Sequence, residues 1–102
     1  NNIVITSAIT YKKEWRDEVR KESPLFMEIF LDCPVHTCIK RDPKGHYKRA
    51  LNGEYDMFVG ITHEYAKSAN PEFVIDTSES SIQRCSDILL EAVLKMFSAI
   101  DR

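Results

Sequence analysis

Glycine, proline and cysteine are all scarce in this chain: 3, 4 and 3 of 102 residues. So little glycine and proline excludes collagen-like repeats and long flexible linkers. Three cysteines, an odd number with no dense framework, exclude a disulfide scaffold and fit a reducing compartment where thiols stay free. Cys33, His36 and Cys38 have the residue types of a metal site, but no second cluster follows to complete four ligands, and buried thiols are the simpler reading. Long apolar runs are missing too, so nothing in the sequence spans a bilayer. The N-terminus has no basic segment leading into an apolar one, as a signal peptide requires. Both absences point to the cytoplasm. Finally, an excess of positive charge is missing: 14 basic against 16 acidic residues give a net charge of −2. A surface given over to nucleic acid is thereby excluded, and any anion site must be local.

What remains is 43% hydrophobic and 29% charged, the composition of a folded globular chain, and 102 residues suit a single domain. The opening run IVITSAI, residues 3–9, is β-branched and apolar almost throughout, which predicts a strand buried on both faces of a parallel sheet. Such a strand needs neighbours on both sides. A chain that opens on one is expected to have lost what came before it, and an edge left bare there would template pairing with another chain.

KKEWRDEVRKE predicts a short helix with Trp15 and Val19 as its apolar stripe, ended by Ser23-Pro24. LFMEIFLDC predicts a second strand stopping at Asp32, and Pro34 suits the first turn of a helix VHTCIKR. A short helix bounded by Gly45 and the Asn52-Gly53 turn is expected next, then a long loop, then a strand FVIDT. Ser80 and Gln83 have the spacing of a capping box. From Ile82 the apolar positions Cys85, Ile88, Leu89, Ala92, Val93, Met96, Phe97 and Ile100 recur at three and four residues, the stripe of a core-facing helix. The alternation predicts an α/β fold with a parallel sheet and flanking helices. Ligands of such folds bind beyond the carboxyl ends of the strands, here around Thr10, Asp32 and Thr77, and the basic segment is expected at the same rim.

That segment concentrates what charge there is. Lys40, Arg41, Lys44, Lys48 and Arg49 stand against Asp42 alone, a local excess of four. Two readings fit: a solvated helix face, or a flap that folds over a polyphosphate and shuts out water only when substrate is bound. Gly45 frees the backbone for the second. Phe58, set among polar residues just before Gly60, is either an anchor for its loop or a ring for stacking on a nucleobase.

RDPKGHYKRALNGEYDMFVGI, residues 41–61, closely resembles the lid and substrate loop of adenylylsulfate kinases, where RDPKGLYKKA precedes a GFTGI-like run. The resemblance extends over nearly the whole chain: TSAITYKKEWRDEVR is similar to the family's segment around ISP-x-R, FMEIFLDCPVHTCIKRDPKG to its EVFVDTPLEVCEARDPKG, and NPEFVIDTSE to its closing strand. It implies the C-terminal part of a P-loop kinase fold, with a lid at about residues 41–60. The implied activity uses ATP and Mg2+ to phosphorylate the 3′-hydroxyl of adenylylsulfate, giving the sulfate donor PAPS. It implies that Arg41 lies against the ATP adenine, that Lys44 belongs to the lid over the phosphates, and that Thr77 borders the ATP base. Phe58 would stack on the adenylylsulfate adenine, with Gly60 and Ile61 shaping the same pocket. Thr10 falls at the serine of the ISP motif, which the family assigns to catalysis, although in-line transfer asks only for positioning and electrostatics. A homodimer is also implied.

Three departures from the family pattern stand out. The chain contains no G-x-x-x-x-G-K-[ST] and no DGDN segment. Asp56 and Val59 replace a basic residue and a threonine around Phe58, and Thr10-Tyr11 replaces Ser-Pro. An anion at position 56 keeps a second acceptor in view, a different nucleotide such as cytidine diphosphoramidate. A non-catalytic nucleotide-binding module is a third reading. Without the backbone amides, lysine and hydroxyl of a P-loop, phosphoryl transfer has no cradle. These 102 residues by themselves are therefore expected to give no turnover in a coupled assay with ATP and adenylylsulfate, and measurable turnover would require another phosphate cradle within them.

Overall fold

The computed structural model describes residues 2–100, and their side chains except those of Phe97, Ala99 and Ile100. Helix α1 spans Lys13–Glu22, strand β1 Ile29–Asp32, helix α2 Val35–Arg41, helix α3 His46–Leu51, strand β2 Phe73–Asp76 and helix α4 Ile82–Ile100. The described residues group into two compact units: 2–26 with 45–69, and 27–44 with 70–100.

The second unit holds the sheet. β1 and β2 pair in parallel, Ile29 with Phe73 through Asp32 with Asp76. The ladder is extended at both ends, by the Phe73 amide donating to the Glu28 carbonyl at 3.1 Å and the Thr77 amide donating to the Asp32 carbonyl at 2.9 Å. The expected α/β architecture with parallel strands and flanking helices is therefore present. Ile75 is buried at 3% exposure while its neighbour Val74 is 51% exposed, so β2 turns one face inward although both are β-branched and apolar.

α4 packs on β2. Cys85, Ile88, Leu89, Val93 and Met96 are half-buried and Ala92 is buried, which is the stripe that the three-and-four spacing predicts. The side chains of Phe97 and Ile100, its last members, lie outside the described residues. Ile82 departs from it and stands in solvent, because it is the first residue of the helix. The cap is also one residue later than expected. The Ser81 hydroxyl, not that of Ser80, accepts from the Arg84 amide at 3.1 Å, and Gln83 instead donates to Asp87 across one turn.

In the first unit, α1 has Glu14 in its opening turn and Arg20 and Lys21 in its last, each opposing the helix dipole, and a Lys13–Asp17 pair at 2.7 Å. Its inward residue corrects the sequence reading. Trp15 and Val19 are about half exposed, and Arg16 is the buried one. α3 is the helix expected in the basic segment. Gly45 enters it at φ +73°, a conformation that costs an L side chain strain, and the Gly53 amide closes it by donating to the Ala50 carbonyl at 3.0 Å.

The larger correction concerns residues 3–9. They form no strand, and Ile3, Val4, Ile5 and Ile9 are exposed. An apolar run becomes a strand only when another strand accepts its hydrogen bonds, and among the described residues none lies beside this one. The sheet consequently has two strands where three were expected.

Since the described apolar core of the sheet unit centres on Ile75 and Ala92, Ile75→Ala in the full-length protein should cost about 2–4 kcal/mol in urea unfolding. Val74→Ala should cost well below about 1 kcal/mol.

Candidate functional site

The expected site residues fall in both units, and each group has its own construction. In the sheet unit the strands end side by side at Asp32 and Asp76, and Arg41 at the end of α2 reaches the loop after β2. Its Nη1 donates to the Thr77 carbonyl at 2.8 Å and its Nη2 to the Ser78 carbonyl at 2.9 Å. Arg41 and Thr77 are thus joined directly. The Thr77 hydroxyl turns away to the Asp32 carbonyl at 3.3 Å. Lys44 is exposed in the turn that follows α2.

The same loop is tightened by Asp76, whose Oδ1 accepts from the Ser78 hydroxyl at 2.5 Å and the Ser78 amide at 2.8 Å. The Ser78 hydroxyl is the main reason that this carboxyl sits below the ordinary carboxylate range, helped by the Ser78 and Glu79 amides and the charge of Arg41.

In the other unit, Phe58, Gly60 and Ile61 share one tight turn. The Phe58 carbonyl accepts from the Ile61 amide at 3.1 Å and the Thr62 amide at 2.9 Å, while the Phe58 amide donates to the Thr62 hydroxyl at 2.7 Å. The Gly60 amide donates to the His63 carbonyl at 2.7 Å, and Gly60 itself lies at φ +100°, where a side chain would strain the turn. Phe58 is half-buried among rings. Tyr47 meets it edge-on at 4.9 Å between centroids, and Tyr55 stacks on it at 5.7 Å with planes 17° apart. The Tyr55 hydroxyl lies 2.8 Å from His46 Nδ1, and its hydrogen bond with the Arg49 side chain raises the already high pKa of that guanidinium.

Thr10 has a positive φ of 38°, costly for a β-branched residue. The buried Arg16 guanidinium holds it there: Nη1 donates to the Thr10 carbonyl at 2.5 Å, Nη2 to the Ala66 carbonyl, and Nε to the Ser68 hydroxyl at 3.3 Å. The guanidinium also lies 4.7 Å over the Tyr65 ring, so Tyr65 packs. Beside Thr10 a surface groove is lined by Tyr11, Lys12, Glu14, Trp15, Glu64 and Ala66.

Arg16 and Tyr55 are the residues that sequence reasoning missed. A buried cation leaves no periodic signal, and a tyrosine in a polar loop reads as solvent-facing until its ring partner is located. Among the described residues no group of three or more His, Cys, Asp or Glu side chains could hold a metal ion, the Cys33, His36 and Cys38 trio included.

The family description "Adenylylsulphate kinase" matches residues 1–76, and the chain belongs to that family. Among curated proteins, it is 40% identical over 93 residues to a probable adenylyl-sulfate kinase of Bacillus subtilis, covering 89% of this chain and 47% of that protein. It is 41% identical over 90 residues to the adenylyl-sulfate kinase of Clostridium kluyveri, covering 87% and 45% respectively. A probable adenylyl-sulfate kinase of Archaeoglobus fulgidus is 41% identical over 78 residues, covering 76% and 50%. The chain thus spans about half the length of the curated relatives it matches.

The acid behaviour of the Asp76 loop follows from its geometry. A carboxyl whose folded pKa is depressed contributes stability above its unfolded pKa and loses it as pH falls through the folded value. Ser78→Ala should therefore move the Asp76 pKa up toward the ordinary 3.8 in an NMR carboxyl titration, and the loop should loosen at a higher pH than in the wild type.

Proposed function

We propose that the full-length protein is an adenylylsulfate kinase, transferring the γ-phosphoryl group of ATP to the 3′-hydroxyl of adenylylsulfate in the cytoplasm, with this chain supplying the lid and part of both nucleotide pockets. The attacking hydroxyl oxygen gains the phosphoryl group and loses its proton, and ADP departs. The observation that carries this reading is the fixed placement of Phe58. Its ring is held by neighbouring aromatics and its backbone by a four-residue turn, which is how a ring must be presented if a purine is to stack on it.

The ATP side draws support from Arg41. With both terminal nitrogens engaged by main-chain carbonyls, its guanidinium is a fixed plane, suited to stacking on a base. Thr77, anchored to Asp32, borders the same base. Lys44 and its basic neighbours offset phosphate charge. Gly60 and Ile61 shape the acceptor pocket, and Thr10 lies beside the acceptor, its backbone set by Arg16. Magnesium would organise the phosphates when bound; among the described residues no group of three or more His, Cys, Asp or Glu side chains could hold a metal ion, and this reading assigns it no residue of the chain. Family membership likewise supports a single kinase domain acting as a homodimer.

Asp56, exposed two residues before Phe58, favours one second reading, a kinase for a different nucleotide acceptor, because an anion there opposes a phosphosulfate. A coupled assay of the full-length enzyme with ATP and a panel of nucleotide acceptors tests both. Adenylylsulfate should be the preferred acceptor, and Phe58→Ala should lower its kcat/KM by roughly 5- to 150-fold, the worth of one stacked base. No turnover with adenylylsulfate would sink the first reading, and turnover with another nucleotide would establish the second.

A further inference from the structure

Helix α3 and the Phe58 turn are separated in sequence by a loop of polar residues, yet they are joined by two side-chain contacts. One is the edge of Tyr47 against Phe58. The other runs through Tyr55. Its ring lies nearly parallel to Phe58, 17° between planes, and its hydroxyl is met by two residues three apart on α3, His46 and Arg49. Residues so spaced share a helix face, so both reach the same atom without distortion. The Tyr55 hydroxyl and His46 Nδ1 lie 2.8 Å apart, and the imidazole tautomer sets which of the two donates. Tyr55 is half-buried, whereas the residues on either side of it, Glu54 and Asp56, are exposed.

We propose that Tyr55 is the positioning residue for Phe58: its ring backs the Phe58 ring, and its hydroxyl, held by His46 and Arg49, fixes that pair of rings to the basic helix α3. The inference rests on reading Phe58 as the platform for the acceptor's base and adds what holds the platform. A ring already ordered before substrate arrives loses little freedom when a base stacks on it, so the benefit appears as tighter acceptor binding. Offset parallel and edge-on neighbours are the arrangements aromatic rings prefer, and Phe58 has one of each. A second consequence is mechanical. The helix that carries the charge of Lys48 and Arg49 and the ring that receives the base move as one piece.

The test uses the full-length enzyme and two substitutions. Tyr55→Phe keeps the ring and removes the hydroxyl; Tyr55→Leu removes the ring as well. Tyr55→Phe should raise the KM for adenylylsulfate by about 3- to 10-fold, the cost of one or two hydrogen bonds, with kcat and the KM for ATP within about 2-fold. Tyr55→Leu should raise it further. In both variants the Phe58 ring resonances of ligand-free protein should move toward those of an unstacked ring, and their cross-relaxation with Tyr47 should weaken. A merely structural role would lower the unfolding temperature and kcat together without that split. Unchanged Phe58 resonances in both variants, or an unchanged KM for adenylylsulfate, would overturn the proposal. If the wild-type enzyme turns over no adenylylsulfate, the functional reading fails by itself, and the ligand-free resonances still decide for or against Tyr55.

Discussion

A guanidinium withdrawn from water must have its donors satisfied, and the construction of the α1 unit follows from how Arg16 meets that demand. Removing a charged group from solvent is costly unless hydrogen bonds replace the lost hydration. Arg16 finds them on the carbonyls of Thr10 and Ala66 and the hydroxyl of Ser68, with the Tyr65 ring under its plane. These acceptors lie about six residues before the cation and some fifty after it. A single side chain therefore gathers the loop at Thr10, helix α1 and the segment that follows the Phe58 turn. The Ala66 amide adds a direct main-chain bond to the Tyr11 carbonyl at 2.9 Å. Among the described residues of this unit Ala50 is the one buried apolar side chain, so a polar centre does the work that packed hydrocarbon does around Ile75 and Ala92 in the sheet unit.

Much of this arrangement was legible in the sequence, and the pattern of success is physical. α2, α3, the end of β1 at Asp32 and the strand at Phe73–Asp76 were readable because proline, glycine and runs of β-branched residues act locally. The α4 stripe was readable because nineteen residues at a regular period leave little room for another interpretation. The opening IVITSAI run failed for the converse reason: composition says that a segment can be a strand, while a partner decides whether it is one. Ser81 in place of Ser80 shows that adjacent serines cannot be told apart until the first helical residue is known.

The candidate site divides along the same line. Arg41, Phe58, Gly60 and Ile61 were named from a long motif and Thr77 from the closing strand, and the arrangement adds what sequence does not carry, namely that Arg41 grips main chain and that Phe58 has rings on two sides. Arg16 and Tyr55 escaped because their roles depend on residues distant in sequence or hidden among polar neighbours. Membership in the adenylylsulphate kinase family gives these contacts a functional frame.

The grip of Arg41 has a consequence for how this loop can vary. Both of its bonds end on carbonyl oxygens, which every residue possesses, so the attachment does not depend on which side chains occupy positions 77 and 78. Either position can drift without releasing the guanidinium, whereas lysine in place of Arg41 would lose the planar two-pronged fork. For this contact alone, tolerance to mutation is thereby unequal: wide on the side that accepts, and narrow, down to one residue type, on the side that donates, although the Ser78 side chain carries its own constraint through Asp76.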